Sequence, residues 1–137
     1  FKIKSSLEKM MVCQYEIVTQ KEHTDYEAHY QHLQAKRDPN SQTEDEFLKY
    51  LYVNKLRLPD MAQERVDGIY SKPDFFYEPN IWIFCDGSPH DQPEIQEQDK
   101  KARDAIRARG DDIVVYYYKE KLADVIARRP DIFKKVQ

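Results

Sequence analysis

The sequence predicts an α/β fold in which a small mixed β-sheet is flanked by helices, and three observations lead to it. The near-continuous apolar run Ile81-Trp82-Ile83-Phe84-Cys85 has the form of a strand buried on both faces. A similar run, Ile113 to Tyr118, follows a charged helical stretch at about 94–109. Strand, helix and strand within 38 residues (81–118) form a βαβ unit, whose two strands lie parallel. Upstream of it, short apolar runs separated by turn residues predict antiparallel neighbours, which makes the sheet mixed.

Taken in order, residues 1–20 give no assignment, because Met10, Met11, Val12, Tyr15, Ile17 and Val18 follow neither a period of two nor a helical stripe. From Glu22 to about Arg37, Tyr26, Tyr30 and Leu33 recur at spacings of four and three, the signature of an amphipathic helix. Asp38-Pro39-Asn40-Ser41 breaks it. Ser41 stands three residues before Glu44, a capping-box spacing, so a second helix is expected through about Asn54, with Phe47, Leu48, Leu51 and Tyr52 as its apolar face. Leu58-Pro59-Asp60 is a turn. The stretch Gln63 to Ser71 reads as a strand bent at Gly68, so that strands at 65–71, 74–77 and 81–86 form a meander, with Glu78-Pro79-Asn80 turning the chain between the last two. Gly87 to Pro93 is a loop. The helix at 94–109 uses Ile95, Ala102, Ala105 and Ile106 and stops at Gly110. A last helix from Lys119 to Arg128 uses Leu122, Ala123 and Ile126, and Pro130 ends it. The expected organisation is a helical extension over 1–40 packed on a single domain over 41–137.

Composition narrows the function. Charged residues make up 34% of the chain but the net charge is only -3, so nucleic-acid contact must come from a local basic patch. No stretch reaches the roughly 18 to 20 apolar residues of a membrane helix. Cys13 and Cys85 are too few and too far apart for a disulfide framework or a structural zinc site, and a reducing cytoplasm is expected. The chain starts at Phe1 with no signal-peptide pattern, and we read it as a fragment of a longer protein.

Two acidic residues sit at expected strand ends. Asp74 follows Pro73 and opens Phe75-Phe76-Tyr77, and Asp86 closes the apolar run before Gly87. With the helix at 44–54 packed on the meander, Glu44 can join them. Clustered carboxylates repel one another and raise their own pKa values, which a divalent cation relieves. Mg²⁺ or Mn²⁺ suits such oxygen donors, and Asp74 and Asp86 are the candidate ligands. A cation held there generates a hydroxide nucleophile and neutralises charge on a phosphodiester, while His90, four residues beyond Asp86, can move the proton. Lys72, Lys100, Arg103 and Arg107 are the candidate phosphate contacts, the last three lying on one helix face. Tyr116-Tyr117-Tyr118 offers a stacking surface for bases.

Each residue also has a plainer reading. Pro-Asp and Asp-Gly are common turn dipeptides, Glu44 can simply cap a helix, and His90 can be solvated. Asp99 and Asp104 can balance the basic helix face. His23, His29 and His32 are read as surface residues and Cys85 as a packed thiol.

In combination, Pro73-Asp74-Phe75, an apolar strand ending in Asp86-Gly87, and then His90 resemble the restriction-endonuclease-like (PD-(D/E)XK) superfamily, in its very-short-patch-repair-like (Vsr-like) branch. There the parent motif's lysine is absent and a histidine follows the second acidic strand. Ser41-x-x-Glu44-x-x-Phe47-Leu48-x-x-Leu51 is similar to the branch's first helix, and Asp99, eleven residues before Gly110, to the helix and strand after its site. The resemblance implies a metal-dependent DNA endonuclease over about residues 41–128. Asp74 would be its central metal ligand, with Asp86 or the carbonyl beside it helping, and Glu44 and His90 assisting. Ser88-Pro89 stands where mismatch-nicking members are aromatic, and the cysteines of their structural zinc are missing, so mismatch-specific nicking is not implied. The segment FCDGSPHD looks closer to Vsr-like domains at the C-terminal ends of large bacterial helicases, which implies fusion to DNA-processing domains.

Overall fold

A four-stranded mixed sheet in the order β1-β2-β3-β4, flanked by helices, carries the fold of this computed structural model. Residues 25–136 are described, so the unassigned segment 1–20, His23 and Cys13 lie outside them. The chain divides between His32 and Leu33 into two compact units. Of the first, residues 25–32 are described and are helical, with the His29 and His32 rings stacked 6.5 Å apart. This helix, α1, runs over 25–36; Tyr30 and Leu33 are buried along it, and Tyr26 partly so, at the spacing the sequence predicts.

In the second unit, α2 spans Gln42–Val53 with Phe47, Leu48 and Leu51 fully buried. β1 is Met61–Ala62, β2 Phe75–Tyr77 and β3 Ile81–Asp86, joined as an antiparallel meander. α3, Pro93–Ala108, then returns the chain to β4, Asp112–Tyr117, which pairs parallel with β3 from Ile81↔Asp112 to Asp86↔Tyr117. α4 is Leu122–Ala127. Beyond it Ile132 and Phe133 enter the core, and Lys135 bridges back to Leu56.

Side-chain alternation along the strands builds a core on each face of the sheet. Phe76, Trp82 and Phe84 pack with Val66, Ile106 of α3 and Ile113. On the other face Phe47 of α2 stacks on Phe75 at 5.3 Å and meets Phe133 edge-on, as does Tyr77. β3, central and covered on both sides, therefore has no polar face before Asp86.

The first strand of the meander is not where its sequence pattern places it. Residues 63–73 form a loop, and Met61–Ala62 pairs with β2 instead. Val66 and Ile69 owe their spacing to anchoring this loop on the α3-side core, while the adjacent Tyr70 is 99% exposed. The backbone turns at Gly68, whose φ of 76° favours glycine, and the Arg109 guanidinium binds the Asp67 carbonyl at 2.7 Å. Among the described residues no helix is long and apolar enough to cross a membrane.

Candidate functional site

Two local devices bring the ends of α2, β2 and β3 together. Ser41 caps α2, its hydroxyl accepting the Glu44 amide at 3.2 Å. Thr43, one residue into the first turn, donates its hydroxyl to the Cys85 carbonyl at 3.2 Å, pinning the helix start to the end of β3. The capping box closes only by half. The Ser41 amide is taken by the Asp38 carbonyl at 3.1 Å, so Glu44 turns inward and accepts from the Asp38 amide at 3.3 Å and from Gln63 Nε2 at 2.7 Å. Glu44 is 2% exposed, and that burial pushes its carboxyl above the usual range, against the bonds from Asp38 and Ser41.

Asp74 reaches the same place from the other side. Its amide binds the Ile83 carbonyl at 2.9 Å and its Oδ2 accepts the Cys85 amide at 2.6 Å, so the carboxylate lies across the end of β3. Burial, followed by the charge of Glu44, drives its pKa well above the ordinary value. The Cys85 amide and Arg103 oppose that shift, and Asp86 adds to it. Glu44, Asp74 and His90 line one cleft of about 630 Å³, together with Thr43, Ser88 and Tyr118.

Asp86 faces elsewhere. Phe84 and Asp86 share a side of β3 by the two-residue period, the side covered by α3, and Asp86 lines an adjoining cleft of about 360 Å³ with Asp99, Lys100, Arg103 and Arg107. The expected convergence of three carboxylates in one pocket is thus replaced by two clefts, with His90 lining both. Asp86 is 7% exposed, and Arg103 Nη2 holds its Oδ1 at 2.6 Å.

His90 is presented by a short 3₁₀ turn, Ser88–Asp91, that Pro89 starts. Its Nδ1 lies 2.6 Å from Asp99 Oδ2 and 3.7 Å from Asp86 Oδ1. Asp91 fastens this turn to the end of β4 by accepting from the hydroxyls of both Tyr117 and Tyr118, bonds that hold its carboxyl below the usual range. The Tyr117 and Tyr118 hydroxyls therefore serve the loop, while Tyr116 is core and bonds Glu46 at 3.2 Å, its phenol pushed up to about 12 by burial.

The basic candidates separate. Lys72 is exposed on the loop before β2 and lines neither cleft. Lys100 and Arg107 are exposed at the second cleft. Arg103, expected to meet phosphate, is instead an internal counter-ion: 12% of its side chain is exposed and its guanidinium lies 4.4 Å over the Phe84 ring. Asp99 is the residue that sequence reading assigned no chemical role. Its one available signal was position, four residues before Arg103 on the same helix face.

Two donor sets can take a cation. Asp86, His90 and Asp99 offer ligand atoms within 4.8 Å of one another, but Arg103 already neutralises that group. Glu44 and Asp74 bring two further carboxylates to the first cleft, both raised chiefly by burial, and all-oxygen donors of this kind suit Mg²⁺ or Mn²⁺. No protein-family model, curated protein or solved structure matches the chain.

Proposed function

We propose that this chain is a Mg²⁺- or Mn²⁺-dependent DNA endonuclease domain of the restriction-endonuclease-like, Vsr-like class, working within a larger DNA-processing protein. One observation carries the reading: two carboxylates with raised pKa values, Glu44 and Asp74, share a cleft with a histidine whose Nδ1 is held by Asp99. Acids at strand and helix ends, raised by desolvation and beside a positioned imidazole, are what hydrolysis of a phosphodiester calls for. Asp74 would be the first residue to hold the cation, with Glu44 alongside. When bound, the cation supplies charge neutralisation at the phosphate and a more acidic water. His90, with Nδ1 engaged by Asp99, would be placed to accept a proton at Nε2. Lys100 and Arg107 meet the flanking strand. Asp86, turned to α3, supports His90 rather than ligating beside Asp74.

The test is direct. The domain, and its full-length parent, incubated with supercoiled and branched DNA and Mg²⁺ or Mn²⁺, is expected to nick the DNA, and Asp74→Ala to abolish nicking. Absence of nicking in both, or nicking that survives Asp74→Ala, refutes the proposal.

A second reading, a non-catalytic module that binds nucleic acid or protein, is favoured by the closure of Asp86 with Arg103. It predicts salt-sensitive DNA binding, or partner binding, with no nicking and no effect of Asp74→Ala.

A further inference from the structure

Arg103 is the least exposed cation of the two clefts, and the geometry around it is over-determined. Its guanidinium lies over the Phe84 ring at 4.4 Å, and Phe84 sits two residues before Asp86 on the same side of β3. One strand therefore supplies both the stacking surface and the carboxylate. Nη2 lies 2.6 Å from Asp86 Oδ1 and 3.9 Å from Asp99 Oδ2, so a single nitrogen stands between the two carboxylates that flank His90 Nδ1. Arg103 Nε is buried and has no hydrogen-bond partner among the described residues. The residue gives up one donor to keep this position, a cost that a surface phosphate contact does not carry.

We propose that Arg103 is a positioning residue: it clamps Asp86 and Asp99 together, so that Asp99 holds His90 by Nδ1 and the ring presents Nε2 to the cleft of Glu44 and Asp74. Without the guanidinium, two carboxylates on adjoining elements repel across His90, and Asp99, the more exposed of the two, swings away. The ring then loses the bond that selects its tautomer. A lysine does not replace it, because a compact, strongly hydrated ammonium lacks the planar face that the guanidinium lays over Phe84.

The role of His90 as proton acceptor rests on the endonuclease reading, but the positioning itself does not, and the two are read separately. Long-range ¹⁵N-¹H spectra of the imidazole report the tautomer of neutral His90 with no need for activity. The intact domain is expected to show Nδ1–H with Nε2 bare, and Arg103→Lys and Arg103→Gln to show a mixed tautomer while retaining the native circular dichroism spectrum. Phe84→Leu, which keeps the charge and removes the stacking surface, is expected to give an intermediate mixture. In nicking assays kcat is expected to fall about 10- to 100-fold, part of the roughly 10²- to 10⁴-fold that a positioned proton acceptor supplies, with KM for DNA changed less than about twofold. An unaltered tautomer in Arg103→Lys and Phe84→Leu overturns the proposal. So does a raised KM with unchanged kcat and a shallower salt dependence, the signature of a phosphate contact. Altered tautomers in a protein that never nicks DNA leave the positioning role standing and reject the endonuclease reading alone.

Discussion

Replacing Asp74 by asparagine should strengthen the fold while removing the chemistry, and the two effects have one cause. The asparagine side chain keeps an oxygen to accept the Cys85 amide, now 2.6 Å from Asp74 Oδ2, so the shape of the site survives. What disappears is a carboxyl whose charged form is disfavoured first by desolvation and then by Glu44. The bond to Cys85 weakens from charge-assisted to neutral, a loss of about 1 kcal/mol. Against it, each pKa unit above the ordinary value corresponds to about 1.4 kcal/mol of stability missing at neutral pH. The upward direction of the shift says the second effect wins. The expected gain at pH 7 is about 0.5–2 kcal/mol, the range of a single stabilising substitution, or roughly 2–7 °C in Tm. The pH dependence follows from linkage. A carboxyl with a folded pKa above its unfolded value near 3.8 favours the fold below that pH and ceases to as pH rises through the folded pKa. Glu44 shifts in the same direction from 4.5. The advantage of Asp74→Asn should therefore vanish near pH 3.5 and grow towards pH 7. Urea denaturation of both proteins across that range measures it. Millimolar Mg²⁺ should raise the stability of the unsubstituted domain and leave Asp74→Asn unchanged. A destabilisation above about 1 kcal/mol at pH 7, or a difference independent of pH, refutes the picture of Asp74 as a carboxyl whose charged form is disfavoured.

Two further outcomes are expected. Thr43→Val keeps the volume but removes the donor to the Cys85 carbonyl, and should lower stability by about 1–3 kcal/mol in chemical denaturation and weaken nicking by loosening Glu44 from β3. Lys100→Ala with Arg107→Ala, both exposed at the second cleft, should reduce the slope of log K against log salt by about 1 to 2 in DNA-binding titrations, with no change in fold by circular dichroism.

The elements with strong periodicity were legible in the residues alone. Phe47, Leu48 and Leu51 repeat at helical spacing behind a serine cap, and α2 runs over Gln42–Val53. The run Ile81 to Cys85 has no polar alternation because a parallel neighbour and two helical layers cover it. The pattern Val66, Ile69, Tyr70 misled because anchoring a loop to a core uses the same apolar residues as a strand, and nothing in 63–73 shows which neighbour will supply the hydrogen bonds. The capping box misled for a related reason. The serine side obeys local geometry, but the glutamate chooses among partners that the fold brings up, and here Asp38 and Gln63 replace the Ser41 amide.

By itself, then, the sequence determined the order of helices and strands, the apolar face of α2, and the placing of Asp74, Asp86 and His90 at the ends of strands or just past them, because periodicity and turn chemistry are local. Which acids face one another was decided by tertiary structure. A two-residue period turns Asp86 to α3, the helix returns Asp99 and Arg103 over it, and the Asp91 clasp sets His90 between the two clefts. Such contacts join residues far apart in the chain, and only the crossing of β3 by α3 brings them within bonding distance.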